Sequence, residues 1–258
     1  MRAFAALLLL AFSLHALGEE GFPRVAGAYL VKRDGQVLWA AGADERMSPA
    51  SLTKMMTALV FLESGRFAET VTVSRAASRE RGSKVGLRAG EQLLARDLVA
   101  AMVVHSANDA CRALADHIGV TMLAKMNERA RSLGLRDTQF EDACGWDRPG
   151  QYSTASDLAR LAEQVMQNQD YARLARSRSL TIATLNGKRR ISFNNTNALI
   201  GRYDGAIGVK TGTTGGAGQC LVAIAERDGV RVTLVMLKAR NRWWSAVGLL
   251  DRAFAAQL

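Results

Sequence analysis

Histidine, cysteine and proline are scarce, with three of each in 258 residues. So few prolines leave no Pro-rich linker to divide the chain. The histidines are His15, His105 and His117, and no G-x-S-x-G elbow occurs; both features weigh against a Ser-His-Asp hydrolase. Cys111, Cys144 and Cys220 contain no C-x-x-C pair, which argues against a structural zinc site. Three cysteines allow at most one intramolecular disulfide and leave one thiol free. Which two pair, Cys144 with Cys220 among the options, stays open at this point. Aromatic residues make up only 6% and the basic residues are dispersed, a poor match to a nucleic-acid surface. Hydrophobic content of 48% with 22% charged residues excludes a disordered tail, a coiled coil and a collagen-like rod.

What the chain does have begins with a leader. Arg2 is followed by a charge-free run from Ala3 to Leu14, then Ala16-Leu17-Gly18 and Glu19-Glu20. This is the layout of a secretory signal peptide cleaved after Gly18. The apolar run is too short to cross a hydrocarbon core of ~30 Å, and no later stretch is long and apolar enough to do so. Residues 1–18 are therefore read as a signal peptide, with export to the periplasm or cell envelope, where disulfides are permitted. The net charge of +10 falls by one on cleavage and suits an anionic polymer or a carboxylate substrate.

Apolar runs around Asp34-Gly35 predict a hairpin over residues 28–40, and runs around Asp228-Gly229 predict another over 221–237. Strands at both ends with helical sequence between them suggest one antiparallel sheet closed by distant segments. Helical spacing and terminating glycines predict helices over 51–62, 93–104, 109–118, 122–133, 156–167 and 243–257.

Three short motifs carry the chemistry. In Ser51-Leu52-Thr53-Lys54, residues i and i+3 share a helix face, so a neutral Lys54 could take the proton of the Ser51 hydroxyl. Taken alone, the pair also fits a capping serine beside a solvated lysine. Ser106-Ala107-Asn108 lies at a corner between two helices, and Ser192-Phe193-Asn194 is a second copy of the same S-x-N pattern. The corner copy is preferred because a rigid frame would aim its short polar side chains. Lys210-Thr211-Gly212, followed by Thr213, can make an anion site on a strand edge that Gly212 lets a ligand approach.

S-x-x-K, S-x-N and K-T-G in this order are the motif set of β-lactamases and penicillin-binding proteins. The chain resembles the low-molecular-weight D-alanyl-D-alanine carboxypeptidases, the serine D,D-peptidases. Pro49 to Ala58 resembles their nucleophile helix. Gly82 to Val85 with Gly90-Glu91, Ser106 to Ala110, Tyr152 to Ala159 and Asn195 to Asn197 resemble further family segments. Two departures stand out: Thr213 directly after K-T-G, and Asp142-Ala143-Cys144-Gly145-Trp146 where relatives read roughly N-x-x-G-L.

The resemblance implies an α+β transpeptidase fold like that of β-lactamases and penicillin-binding proteins. An antiparallel sheet would be flanked by helices, with a mainly helical subdomain. It implies one peptidase domain over residues 19–258, without the second domain of longer relatives, as in the short D,D-endopeptidase branch. It further implies acyl transfer on peptidoglycan stem peptides or cross-links, with β-lactams as covalent inhibitors and no cofactor or metal. Ser51 would attack, Lys54 accept its proton and Ser106 relay a proton to the leaving amine. Asn108, Lys210, Thr211, Gly212 and Thr213 would bind substrate, and the Ser51 and Thr213 amides would hold the oxyanion. A lysine of ordinary pKa, ~10.4, is charged at neutral pH. Burial and the nearby Lys210 are therefore expected to lower Lys54, giving a basic limb in the rate profile well below that of a free amine.

Two other readings compete. A class A β-lactamase needs an E-x-x-x-N segment, and none of Glu128, Glu141 or Glu163 has Asn four residues on. A silent wall-binding module would have no need of all three motifs.

Overall fold

The computed structural model describes Phe22 and residues 25–256. The leader read at residues 1–18 lies outside the described residues.

The chain opens with the hairpin β1 (Ala28–Arg33) and β2 (Gln36–Ala41), joined through Asp34-Gly35. A single 3-10 turn, Ala50–Thr53, then leads into α1 (Lys54–Glu63). The short strand β3 (Thr70–Thr72), helix α2 (Arg75–Ser78) and strand β4 (Gln92–Leu94) follow. Next come α3 (Ala95–Val104), α4 (Asn108–Ile118) and α5 (Met122–Ser132). After a long loop come α6 (Ala155–Met166) and α7 (Gln169–Arg176). The hairpin β5 (Ser179–Ala183) and β6 (Arg190–Asn194) precedes β7 (Ala206–Thr214), β8 (Gly218–Arg227) and β9 (Val230–Ala239), and α8 (Arg242–Ala255) completes the described chain.

The two terminal regions meet in a five-stranded antiparallel sheet of order β2-β1-β9-β8-β7. Leu30 pairs with Val235 where the first hairpin joins the last. The inner strands of this sheet are buried on both faces while β2 is largely exposed, and side-chain alternation divides the buried residues. Val222, Ile224, Val235 and Leu237 belong to the same core cluster as the buried residues of α1, α3 and α6, with α6 packed directly on β1, β8 and β9. Leu221, Ala223, Leu234 and Met236 pack towards α8, which contributes Ala246, Leu249, Leu250 and Ala253. The result is three layers with α8 outside the sheet and the remaining helices on its other side.

Helix α1 is the centre of the helical layer. Every residue from Lys54 to Phe61 is buried, as expected of a helix whose apolar character runs all round. It packs on α3, α4, α5 and α6. The predicted helix over 51–62 differs at its start, because residues 50–53 form the tighter 3-10 turn. Helix α6 begins earlier than Ser156, since Thr154 is its cap and accepts the Asp157 amide at 3.0 Å. Helix α7 and the β5–β6 hairpin have no counterpart in the sequence reading. Asn168 caps α7 by accepting the amides of Asp170 and Tyr171.

Asp109 ties the helical layer to the loop that precedes β4. Its buried carboxylate accepts the amides of Val85, Gly86 and Leu87 at 3.2, 2.8 and 2.9 Å, and of Ala110 at 2.9 Å. Removing it strands buried donors. Asp109→Ala is expected to lower the unfolding free energy by about 2–4 kcal/mol, read as a shift in the urea midpoint.

Candidate active site

The three motifs converge on one cleft of about 290 Å³, lined by Ser51, Ser106, Asn108, Thr211, Gly212 and Thr213 among others. Lys54 and Lys210 are buried behind its lining, 0% and 2% exposed, hydrogen-bonded to Ser51 and Ser106. The sheet edge is one wall, since β7 is its outermost strand. The 3-10 turn bearing Ser51 meets β7 closely: a Cβ added to Gly212 would lie 3.1 Å from the Ser51 amide nitrogen. The K-T-G glycine is thus a packing requirement as much as a substrate approach.

Lys54 Nζ donates to Ser51 Oγ at 2.8 Å, to Asn108 Oδ1 at 2.8 Å and to the carbonyl of Cys144. The Asn108 side chain cannot reverse, because its Nδ2 donates to the Arg81 carbonyl at 2.7 Å. An ammonium has three N–H donors, and a neutral amine has two and one lone pair. Asn108 Oδ1 and the Cys144 carbonyl only accept. In the neutral amine both N–H bonds therefore stay on those two oxygens, and the lone pair is left facing the Ser51 hydroxyl. Burial lowers the Lys54 pKa to about 7, against the opposing pull of Asp142 and Glu80. The charge of Lys210 is not the cause expected from sequence, because Lys210 is itself pushed well below the ordinary range. Its burial comes first, then Lys54 and Arg242.

Lys210 Nζ donates to Ser106 Oγ at 2.7 Å and to the Thr211 carbonyl at 2.9 Å. Ser106 holds a left-handed backbone conformation, φ 58°. That conformation is uncommon away from glycine and turns the chain between α3 and α4. Thr211 shares a hydrogen bond with Thr196 at 2.8 Å. Ser192, the alternative S-x-N serine, lies on the exposed face of β6, bonded to Thr181 at 2.8 Å, and does not line the cleft. None of Glu128, Glu141 and Glu163 lines it either.

Several cleft residues carry no motif. Arg242, at the start of α8, donates to the Gly212 carbonyl at 2.8 Å and to Thr213 Oγ1 at 2.9 Å. Asp147 accepts from Ser48 and Thr214 hydroxyls and from the Gly216 amide, bracing the end of β7. Cys144, Gly145 and Trp146 form the wall opposite β7 together with Gly82 and Ser83. The disulfide joins Cys111 to Cys144, and Cys220 is the free, buried thiol; a Cys144–Cys220 bond is therefore excluded. No group of three or more metal-ligating side chains occurs among the described residues.

The sheet, the helical layer and the cleft define the D,D-peptidase fold, α+β with helices on both faces of an antiparallel sheet. Residues 25–241 match the D-alanyl-D-alanine carboxypeptidase family, and the chain belongs to it. It is 32% identical over 262 residues to a D-alanyl-D-alanine carboxypeptidase of Streptomyces sp. (strain K15), covering 93% of this chain and 90% of the relative. The solved Streptomyces K15 DD-transpeptidase superposes with a TM-score of 0.85 at 31% identity, over 90% of this chain and 98% of that one. DacF of Bacillus subtilis is 31% identical over 96% of this chain and 69% of its own length. The chain spans about half the length of the Escherichia coli relative DacC, 54%, at 36% identity.

Gly145 gives the sharpest test of this packing. Its φ is +89°, and an added Cβ would sit 2.1 Å from the Ala50 carbonyl oxygen, immediately before Ser51. Gly145→Ala is expected to displace the Ser51 turn and slow covalent labelling by a fluorescent penicillin at least about tenfold, a barrier change of ~1.4 kcal/mol, in a protein whose far-UV circular dichroism is unchanged.

Proposed function

We propose that this chain is a serine D,D-peptidase of peptidoglycan stem peptides and that Ser51 is its nucleophile. The observation that carries the reading is the buried Lys54 amine, with two of its bonds on fixed acceptors and the third on Ser51. Ser51 Oγ attacks the carbonyl carbon of a D-Ala residue, and its proton passes to Lys54 Nζ. The close approach of β7 to the Ser51 amide supports an oxyanion pocket formed by the Ser51 and Thr213 amides; one such donor typically contributes ~3 kcal/mol. The C–N bond then breaks. Ser106, hydrogen-bonded to Lys210, gives its proton to the leaving amine and takes up the one Lys54 accepted; water then hydrolyses the ester, its proton passing to Lys54 and back to Ser51. A β-lactam opened by the same attack keeps its leaving nitrogen tethered, so the acyl-enzyme persists.

Thr211, Thr213 and Lys210 would receive the substrate's carboxylate, with Arg242 as a fourth donor that carries no motif. Arg242 is a half-buried cation fixed on the β7 edge, and its planar fork suits a carboxylate. The buried disulfide supports export to an oxidising compartment, and residues 19–258 are read as one peptidase unit. No described helix is long and apolar enough to cross a membrane.

Two outcomes test the reading. A fluorescent penicillin should label the wild type covalently and leave Ser51→Ala unlabelled; a label on any other residue removes Ser51 from its role. The base must be neutral, so the labelling rate should rise with pH through a midpoint near the Lys54 value of about 7. The limb that Lys54 sets is thus the acid-side one, and not the basic limb read from the motif. A rise only near that of a free amine, ~10.4, would remove Lys54 as the base.

The bond cleaved is read from products. With purified muropeptides, loss of one alanine identifies a carboxypeptidase and conversion of dimers to monomers an endopeptidase. Mass analysis should find one or both, whereas intact substrate beside rapid nitrocefin turnover would make the chain a β-lactamase.

A further inference from the structure

The two oxygens that orient the Lys54 amine come from different parts of the chain. Asn108 begins α4, and the Cys144 carbonyl belongs to the loop between α5 and α6. Cys111 lies one turn after Asn108 on α4, and it is bonded to Cys144. The disulfide therefore closes a ring that runs from Lys54 through Asn108, α4, Cys111 and Cys144 back to Lys54. Both cysteines are buried.

The 142–146 loop separates two hollows. On one side lies the cleft with Ser51. On the other lies a second hollow of about 400 Å³, lined by Glu80, Arg112, Asp116, Asp142, Cys144 and Trp146. Noncovalent ties hold the loop on either side of Cys144: Asp142 Oδ1 accepts the amides of Cys144, Gly145 and Trp146, Gln151 accepts the Asp142 amide and donates to the Trp146 carbonyl, the Trp146 indole donates to Glu80, and Thr57 donates to the Ala143 carbonyl. The Cys144 carbonyl itself has Lys54 as its hydrogen-bond partner among the described residues, so the disulfide is what ties this residue to the helix that carries Asn108.

We propose that the Cys111–Cys144 disulfide is a positioning device for the catalytic base: it fixes the Asn108 and Cys144 oxygens relative to each other, so that the Lys54 lone pair faces Ser51 only in the oxidised protein. The inference rests on the Ser51–Lys54 reading above. Reduction by a phosphine delivers two electrons, two protons from water complete the thiols, and the phosphine becomes its oxide. The freed loop relaxes and lets water reach Lys54. The groups around that amine are Asp142 from the loop, Glu80 from the end of the α2 segment, Lys210 from β7, and the uncharged Ser51 and Asn108. Hydration removes the desolvation that depresses Lys54, while Asp142 and Glu80 still favour its charged form. The base is then protonated at neutral pH.

The test measures penicillin acylation from about pH 5 to about pH 10 for oxidised wild type, phosphine-reduced wild type and Cys111→Ala/Cys144→Ala, all below the melting temperature of the weakest sample. Oxidised wild type should rise near pH 7. The reduced protein and the double variant should rise at least about one pH unit higher, with the rate at pH 7 down at least about fivefold. Reoxidation should restore the wild type, and the reductant should leave the variant unchanged. A bond that only stabilises the fold would lower the melting temperature and leave the midpoint in place. An unmoved midpoint in either folded sample overturns the proposal, as does a Cys111–Cys144 bond missing from the peptide map of oxidised protein. Should the variant not fold, the reduced wild type carries the same comparison. Failure of oxidised wild type to label at Ser51 would instead overturn the parent reading.

Discussion

A primary amine buried without a carboxylate partner is the constraint around which this molecule is arranged. Lys54 lies wholly inside, and its three contacts are a hydroxyl, an amide oxygen and a backbone carbonyl. A salt bridge would hold the proton on the amine and make it useless as a base. Neutral oxygens satisfy the N–H groups without that electrostatic hold, while burial lowers the affinity for the proton. Asp142 and Glu80 lie near enough to pull in the opposite direction, yet neither accepts a hydrogen bond from Nζ. Their carboxylates are occupied elsewhere: Asp142 caps its own loop, and Glu80 meets Trp146 and Arg112.

The fold supplies the second amine from across the cleft. Lys210 lies on the outermost strand, which the 3-10 turn of Ser51 touches directly. An edge strand leaves backbone groups without strand partners, ordinarily a liability, and here that edge becomes one wall of the site. Burial lowers the proton affinity of both lysines, and the charge of Lys54 adds to the effect on Lys210. Ser106 and Ser51 each accept from one of them. The cleft thus holds two serine–lysine pairs, and a proton taken from one serine can be matched by one given from the other.

Legibility from sequence followed locality. The nucleophile, the two lysines and the S-x-N corner are short patterns whose geometry is set within one helical turn or one strand. Both hairpins around Asp-Gly were readable because the turn type dictates its residues. Helix α7 and the β5–β6 hairpin were not, since Asn168 caps a helix of only eight residues, and the β5–β6 strands alternate buried with exposed positions too briefly to stand out. Arg242 could not be assigned to the cleft because nothing local distinguishes it from the other basic residues. Only the docking of α8 on the sheet carries it to Thr213. The Cys111–Cys144 pairing was equally hidden. It depends on α4 and a distant loop meeting over α1, and three cysteines alone permit any pair. The departure Asp142 to Trp146 marked the right segment, and its meaning became visible only when Gly145 was seen pressed on the Ala50 carbonyl.

The same burial that makes Lys54 a base taxes the fold, with a definite sign. The unfolded chain holds the proton up to the ordinary lysine value of 10.5, and the folded chain releases it near 7. Between those limits the unfolded state binds more protons, so this group disfavours folding most at low pH, and the penalty fades as pH rises through the interval. Each unit of displacement corresponds to about 1.4 kcal/mol. The surrounding structure has to offset that penalty at the pH where the chemistry runs, and what surrounds Lys54 is unusually well fastened. Helix α1 is buried along most of its length, Asp109 binds four backbone amides beside Asn108, and a covalent bond closes the far side. Rigidity next to the lysine and the lysine's reactivity are therefore one property: a looser shell would hydrate the amine, recover the stability, and return the proton that has to be absent.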